Sequence, residues 1–126
     1  MRKYRKKTPY RKLVNKLDKI CGEIVRGRGR CQKCDKVDAT LQTAHIFSRS
    51  KMSIRWDIEY NLVCLCYYCH QQAHSNPIFF TEWVKEFLGP YRYRVLKKRA
   101  RTITSWSVYE LEELLKILER IKGEVW

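Results

Sequence analysis

The amino-acid sequence predicts an α+β fold, with short strands and one helix cross-linked by cysteines and flanked by N- and C-terminal helices. Three observations carry this. Two C-x2-C pairs, Cys31/Cys34 and Cys66/Cys69, sit mid-chain. Apolar residues recur at three- and four-residue spacing before and after them, the pattern of one helix face. Between the pairs, segments 39–47 and 60–66 have the length of short strands, the second (YNLVCLC) being mostly apolar.

At 126 residues, 44% of them hydrophobic and 13% aromatic, the chain fits one compact unit with a modest core. A chain this short gains from a staple such as a structural metal. Its charge is lopsided: 27 Lys plus Arg face 13 Asp plus Glu, a formal +14. Such an excess repels itself on folding and points to a polyanionic partner, nucleic acid before membrane. No run approaches the roughly 20 apolar residues of a spanning helix. The N-terminus, MRKYRKKTPYRK, lacks the apolar core of a signal peptide. A cytoplasmic location is therefore expected, and the six cysteines read as thiolate ligands or buried thiols rather than disulfides.

Taken in order, residues 1–12 form a basic arm. Thr8-Pro9 opens a helix, Thr as N-cap and Pro at the first helical position. Leu13, Leu17, Ile20 and Ile24 give it one apolar face, and the glycines of RGRGR (26–30) end it. A tight turn holds Cys31 and Cys34. A helix beginning near Cys66–Cys69 carries His70 and His74. Asn76-Pro77 starts another, with Phe80, Trp83, Val84, Phe87 and Leu88 as its buried face and Gly89-Pro90 as its end. The basic segment 91–101 follows. Ser107-x-x-Glu110 is a capping box opening a last helix striped by Leu111, Leu114, Leu115, Leu118 and Ile121. That stripe suits core packing, with a docking or dimer face left open. The whole chain, 1–126, reads as a single domain: arm, core at 30–89, then basic segment and helix at 90–126.

Four soft thiolates from two C-x2-C pairs match tetrahedral zinc, so Cys31, Cys34, Cys66 and Cys69 are the expected structural zinc ligands. Cys21 and Cys64 fall outside the pattern and read as small buried hydrophobes. The 31 residues between Cys34 and Cys66 exceed an ordinary zinc ribbon's roughly 15–20. The insert contains His45 and Asn61. On a helix His70 lies about 100° round from Cys69, so it points away from the zinc, while His74 shares the His70 face. An H-x3-H pair on one face is a ready pair of imidazole ligands.

These residues resemble the HNH nucleases of the ββα-metal (His-Me finger) group: A-H-I at 44–46, Asn61-Leu62, and L-C-x-x-C-H-x3-H at 65–74, bracketed by zinc knuckles. The longer stretch RWDIEYNLVCLCYYCHQQAHSNPIFFTEWVKEFLG looks like phage-encoded members and, more distantly, the NinG/Rap recombination nucleases. The resemblance covers about residues 30–89 and implies a small ββα-metal core.

The resemblance also implies catalytic roles. His45 is the general base that activates water. Asn61 ties the loop between the strands and orients that histidine through an amide hydrogen bond. His70 is a ligand of a catalytic divalent metal, Mg2+ or Mn2+, and His74 a further ligand as in colicin-type DNases; imidazole also suits other transition metals. Where many members carry Asp, Glu or His before the first histidine, this chain has Ala44. The missing ligand then comes from phosphate and water, or from a carboxylate such as Asp57 or Glu59.

DNA is the expected partner, gripped by Arg49, Lys51 and Arg55 near the scissile bond and by Arg28, Arg30, Lys97, Lys98 and Arg99 elsewhere. Tyr91 and Tyr93 are candidates to stack on unpaired bases. The expected activity is metal-dependent cleavage of duplex or branched recombination DNA. A homodimer and a phage packaging or recombination partner both stay open. The alternative is a zinc-stabilised nucleic-acid-binding module without catalysis.

Overall fold

The computed structural model describes residues 6–125, the side chain of Val125 excepted, so the first five residues of the basic arm lie outside it. Among the described residues, four helices and a two-stranded antiparallel sheet run in the order α1 (Pro9–Arg26), β1 (Leu41–His45), β2 (Leu62–Cys66), α2 (Tyr67–Ser75), α3 (Pro77–Arg101) and α4 (Val108–Val125). The α+β architecture is the one expected.

Thr8 caps α1, its hydroxyl accepting from the Arg11 amide at 3.1 Å, with Pro9 next. Leu13, Leu17, Ile20 and Ile24 are buried, and they meet Leu111 and Leu118 of α4 in the largest apolar cluster. The leucine stripe of α4 is thus core, with Leu114, Leu115 and Ile121 packed at its edge. Ser107 and Glu110 form the reciprocal capping box, both bonds 3.1 Å, and Glu23 pairs with Lys122 between the two helices.

β2 is buried along its whole length because it has a core on each face. Its side chains alternate: Leu62 and Cys64 face the α1–α4 cluster, while Val63 and Leu65 face a second one around the cysteines. The register pairs Leu41 with Cys66, Ala44 with Val63 and His45 with Leu62. That places the end of β1 beside the start of β2.

α3 bends at Gly89, whose φ of 81° and ψ of 164° are open to glycine and strained for other residues. Pro90 then restarts the helix. The predicted stop is a bend, and the basic segment continues as helix beyond it. Two expectations for α3 fail. Asn76 makes no side-chain cap, its amide donating instead to Gln72. Phe87 is 40% exposed, stacked on Trp83 rather than buried with Val84 and Leu88.

Among the described residues, no helix is long and apolar enough to cross a membrane, and no buried side-chain nitrogen or oxygen lacks a hydrogen-bond partner.

Candidate active site and zinc knuckle

The sulfurs of Cys31, Cys34, Cys66 and Cys69 lie within 4.8 Å of one another. An ion bonded tetrahedrally at about 2.3 Å holds its sulfurs about 3.8 Å apart; Cys34 and Cys66 stand at 3.8 Å. The donor set and its geometry therefore fit zinc. Backbone builds this cluster. Asp35 takes a left-handed φ of 64°, and its amide closes the knuckle on the Cys31 carbonyl at 2.8 Å. Gln32 docks the turn on β2: its amide donates to the Cys64 carbonyl (2.7 Å) and its side-chain oxygen accepts from the Cys64 amide (2.8 Å). Burial pushes the Cys31 thiol up, but hydrogen bonds from the Cys66, Cys34 and Lys33 backbones outweigh it and bring it to about 7. Cys21 and Cys64 stand apart as buried thiols; burial, and for Cys21 also the Asp18 charge, pushes the Cys21 thiol up to about 12.

Cys66 ends β2 and caps α2, its sulfur accepting from the Cys69 amide at 3.4 Å. One turn later the helix presents His70 and His74, ring centroids 4.9 Å apart and tilted by 35°. Two imidazoles bound to one ion through nitrogens at about 2.1 Å have centroids roughly 5 Å apart, so the pair fits a shared divalent cation. Nδ1 of His70 lies 2.7 Å from Oε1 of Gln42 on β1. With that oxygen accepting, Nδ1 carries the proton and Nε2 keeps its lone pair for a metal, the usual outer-shell device. Burial, then the neighbouring His74, lowers the His70 pKa and favours the neutral ligand form.

His45, from the end of β1, shares a cleft of about 540 Å3 with His70 and His74, walled by Ala44, Arg49 and the first turns of α3. All three histidines therefore meet there. They do not converge as one ligand set: among the described residues the four cysteines are the one group of three or more His, Cys, Asp or Glu side chains that does. Burial lowers the His45 pKa, partly opposed by a hydrogen bond to the Arg55 carbonyl, so the imidazole is biased toward its neutral, proton-accepting form.

Asn61 is fully buried and its amide does not reach the imidazole. Its Oδ1 accepts from the Phe47 amide (2.8 Å); its Nδ2 donates to the Phe47 (3.2 Å) and Ile54 (3.1 Å) carbonyls. Phe47 follows His45 by two residues and Ile54 precedes Arg55. The side chain thus ties together, through backbone, the segments that carry His45 and Arg55.

No carboxylate lines the cleft. Ala44 is packed against Val63 at 3% exposure. Asp57 accepts from the Tyr60 amide (3.0 Å) and from Arg99 (2.8 Å), and Glu59 is exposed outside the cleft. Neither acid is therefore placed to join the His70–His74 pair.

Several predicted DNA-contacting residues are engaged by protein groups, one of them buried. Arg55 is 8% exposed, forked onto Asp18 by Nε (3.0 Å) and Nη2 (2.6 Å), with Trp56 donating to the same carboxylate at 2.8 Å. Arg28 donates to the Leu62 and Ile58 carbonyls and to Gln32. Arg99 pairs with Asp57 and lies over the Tyr60 ring. Arg30 faces Asp35 at 3.8 Å on the surface. Arg49 lines the cleft, more than half exposed, its guanidinium 3.4 Å from Asp18; Lys51 is exposed on the same loop, and Lys97 and Lys98 are exposed on α3.

Sequence reading missed Asp18 and Gln42. A lone acid on a basic helix looks like a solvated charge, and nothing in L-Q-T-A-H marks the glutamine.

Residues 31–76 match the HNH endonuclease family model. The match runs from the first cysteine of the cluster to the residue after α2, taking in both C-x2-C pairs, both strands, Asn61 and all three histidines. The matched family is one of nucleases, enzymes whose substrate is nucleic acid. No curated protein and no solved structure matches the chain.

Proposed function

We propose that this chain is a metal-dependent DNA endonuclease in which His45 is the general base and His70 with His74 holds the catalytic cation. The observation that carries the reading is the shared cleft, where an imidazole from β1 meets a pair from α2. A neutral His45, held by the Arg55 carbonyl, takes a proton from water beside the phosphate. Arg49 at the cleft wall orients a phosphate oxygen. Gln42 fixes the His70 tautomer, and Asn61 keeps the base and its carbonyl partner in one frame. A divalent cation at the His70–His74 pair supplies Lewis-acid neutralisation of the phosphate and the leaving oxygen. Mn2+ and other transition ions suit a shell of two imidazoles better than Mg2+ does. Zinc at the cysteines has a folding role and does not touch substrate.

The cellular setting we propose is the cytoplasm of a prokaryote or of a phage-infected cell. The substrate is plain duplex or branched recombination DNA.

The test is cleavage of supercoiled plasmid and a labelled four-way junction, with Mg2+ and separately Mn2+, by wild type and His45→Ala of equal zinc content. Metal-dependent cutting lost in the variant is expected, and the preferred substrate separates nicking from junction cleavage. Zinc-loaded wild type that binds DNA and never cuts it would overturn the proposal in favour of a non-catalytic binding module.

A further inference from the structure

We infer that the concavity at the bend of α3 binds an unpaired DNA strand flanking the scissile phosphate; this rests on the nuclease reading above and names the substrate form. The concavity is about 890 Å3 and lies outside the histidine cleft.

Helical phase sorts the basic residues of 91–101 onto two faces. Arg92 and Arg99, seven apart and so on one face, lie over the Tyr60 ring with guanidinium carbons 4.8 and 4.5 Å from its centroid. Arg92 also donates to the Glu59 carbonyl and Arg99 to Asp57. Both are exposed, yet they fasten α3 to the 57–60 loop. Arg94, Lys97, Lys98 and Arg101 turn the other way and, with Lys85 from before the bend, line the concavity against one acid, Glu86. That balance selects a polyanion.

The walls select its form. Between the cations lie Gly89, Pro90 and the ring of Tyr93. Duplex DNA offers a protein surface mainly phosphates, for which apolar walls have no use, whereas an unpaired base has a face to stack on an aromatic ring. The Lys85 and Lys97 ammoniums lie over the Tyr93 ring, 5.6 and 5.7 Å from its centroid, so a base that stacks there displaces at least one of them from the ring face. A base settling on that ring brings its flanking phosphates to both. Gly89 shapes the space: nothing lies within 4 Å of where its Cβ would be, so its role is the bend itself.

One face of α3 runs from the cleft to the concavity. Pro77, Thr81 and Lys85 follow one another at four-residue spacing on one face of α3; the first two line the cleft and the third the concavity. A strand leaving the histidines along this face reaches Tyr93 after passing Lys85.

The experiment is fluorescence anisotropy of a labelled oligothymidylate of about 12 nucleotides and of a duplex of the same length, without added divalent cation. Wild type is compared with Tyr93→Ala and with Arg94→Glu/Lys97→Glu, each checked for zinc content and thermal unfolding. Both variants are expected to weaken the single strand about tenfold and the duplex clearly less. Equal loss on the two DNAs would overturn the proposal in favour of a general phosphate-attracting surface. Unchanged single-strand binding would overturn it too and leave the groove to an acidic protein partner. The measurement needs no turnover. Hydrolysis of bis(p-nitrophenyl) phosphate by wild type with Mn2+ therefore tests the nuclease reading separately: strand binding through Tyr93 without hydrolysis of DNA or ester sinks that reading while supporting the strand site.

Discussion

Replacing Asn61 by alanine removes three hydrogen bonds at a site with no solvent access. At a net value of about 1 kcal/mol each, the loss is about 3 kcal/mol, and stranding the Phe47 amide moves it upward. Folded domains of this size have about 5–15 kcal/mol in hand, so the variant folds. In urea, with an m-value of roughly 2 kcal/mol/M, the midpoint drops by about 1.5 M at unchanged m. Asn61→Asp is the sharper probe. It retains the acceptor for the Phe47 amide but aims a carboxylate oxygen at two carbonyls, and is expected to be at least as destabilised at nearly unchanged volume. Under the proposed mechanism, metal-dependent cleavage falls in both, because the residues beside His45 and Arg55 lose their common tether. A stability change under about 0.5 kcal/mol in either variant would refute the clamp, and full activity in a folded one would refute its link to the base.

Four further outcomes are expected. Chelation, or Cys69→Ser, is expected to release zinc from the four-cysteine cluster and lower the unfolding temperature far more than Cys21→Ser does, read by calorimetry beside metal analysis. Because burial lowers the His45 pKa, the acid limb of kcat/KM against pH is placed below the ordinary histidine value of about 6.5. By the same sign the unfolded chain binds more protons there, so stability from His45 is complete above about 6.5 and declines as pH falls through the folded value; His45→Ala should flatten that decline in urea titrations. Gln42→Ala is predicted to weaken Mn2+ binding by about 10–100-fold with zinc content unchanged, measured by calorimetric titration, and an unaltered affinity would remove Gln42 from the metal's support. Asp18→Ala leaves Arg55 buried without its counter-charge and is expected to cost about 2 kcal/mol, below the value for fully enclosed pairs because Asp18 is partly exposed.

Local patterns in the sequence were legible where the physics is local. The Thr8-Pro9 start, the Ser107–Glu110 box, the apolar faces of α1 and α4 and the paired cysteines all depend on residues within one or two turns of each other. The meeting of His45 with His70 and His74 was readable only through the family resemblance, since it depends on strand register. Asp18 lies 37 residues from Arg55, and Gln42 lies 28 from His70; no periodicity links either pair. Charge misled for a related reason. A count of lysines and arginines gives the sign of the surface but not which guanidiniums the fold engages: Arg55 is buried, and Arg28 and Arg99, though exposed, donate to protein acceptors. Phe87 sat at a buried spacing that the bend and the aromatic stack left open.

The nine residues of α2 also act as a ruler. Cys66 and Cys69 at one end are tied to the zinc knuckle; His70 and His74 further on face the cleft. One inserted residue between Cys69 and His70 would turn the histidines by about 100° and advance them about 1.5 Å, aiming them away from His45 while leaving the knuckle intact. Tyr67, Tyr68, Gln71 and Ser75 are exposed along this stretch, so under the proposed mechanism its length is the tighter constraint. The spacing itself carries information that no single substitution can test and that one codon, added or removed, would erase.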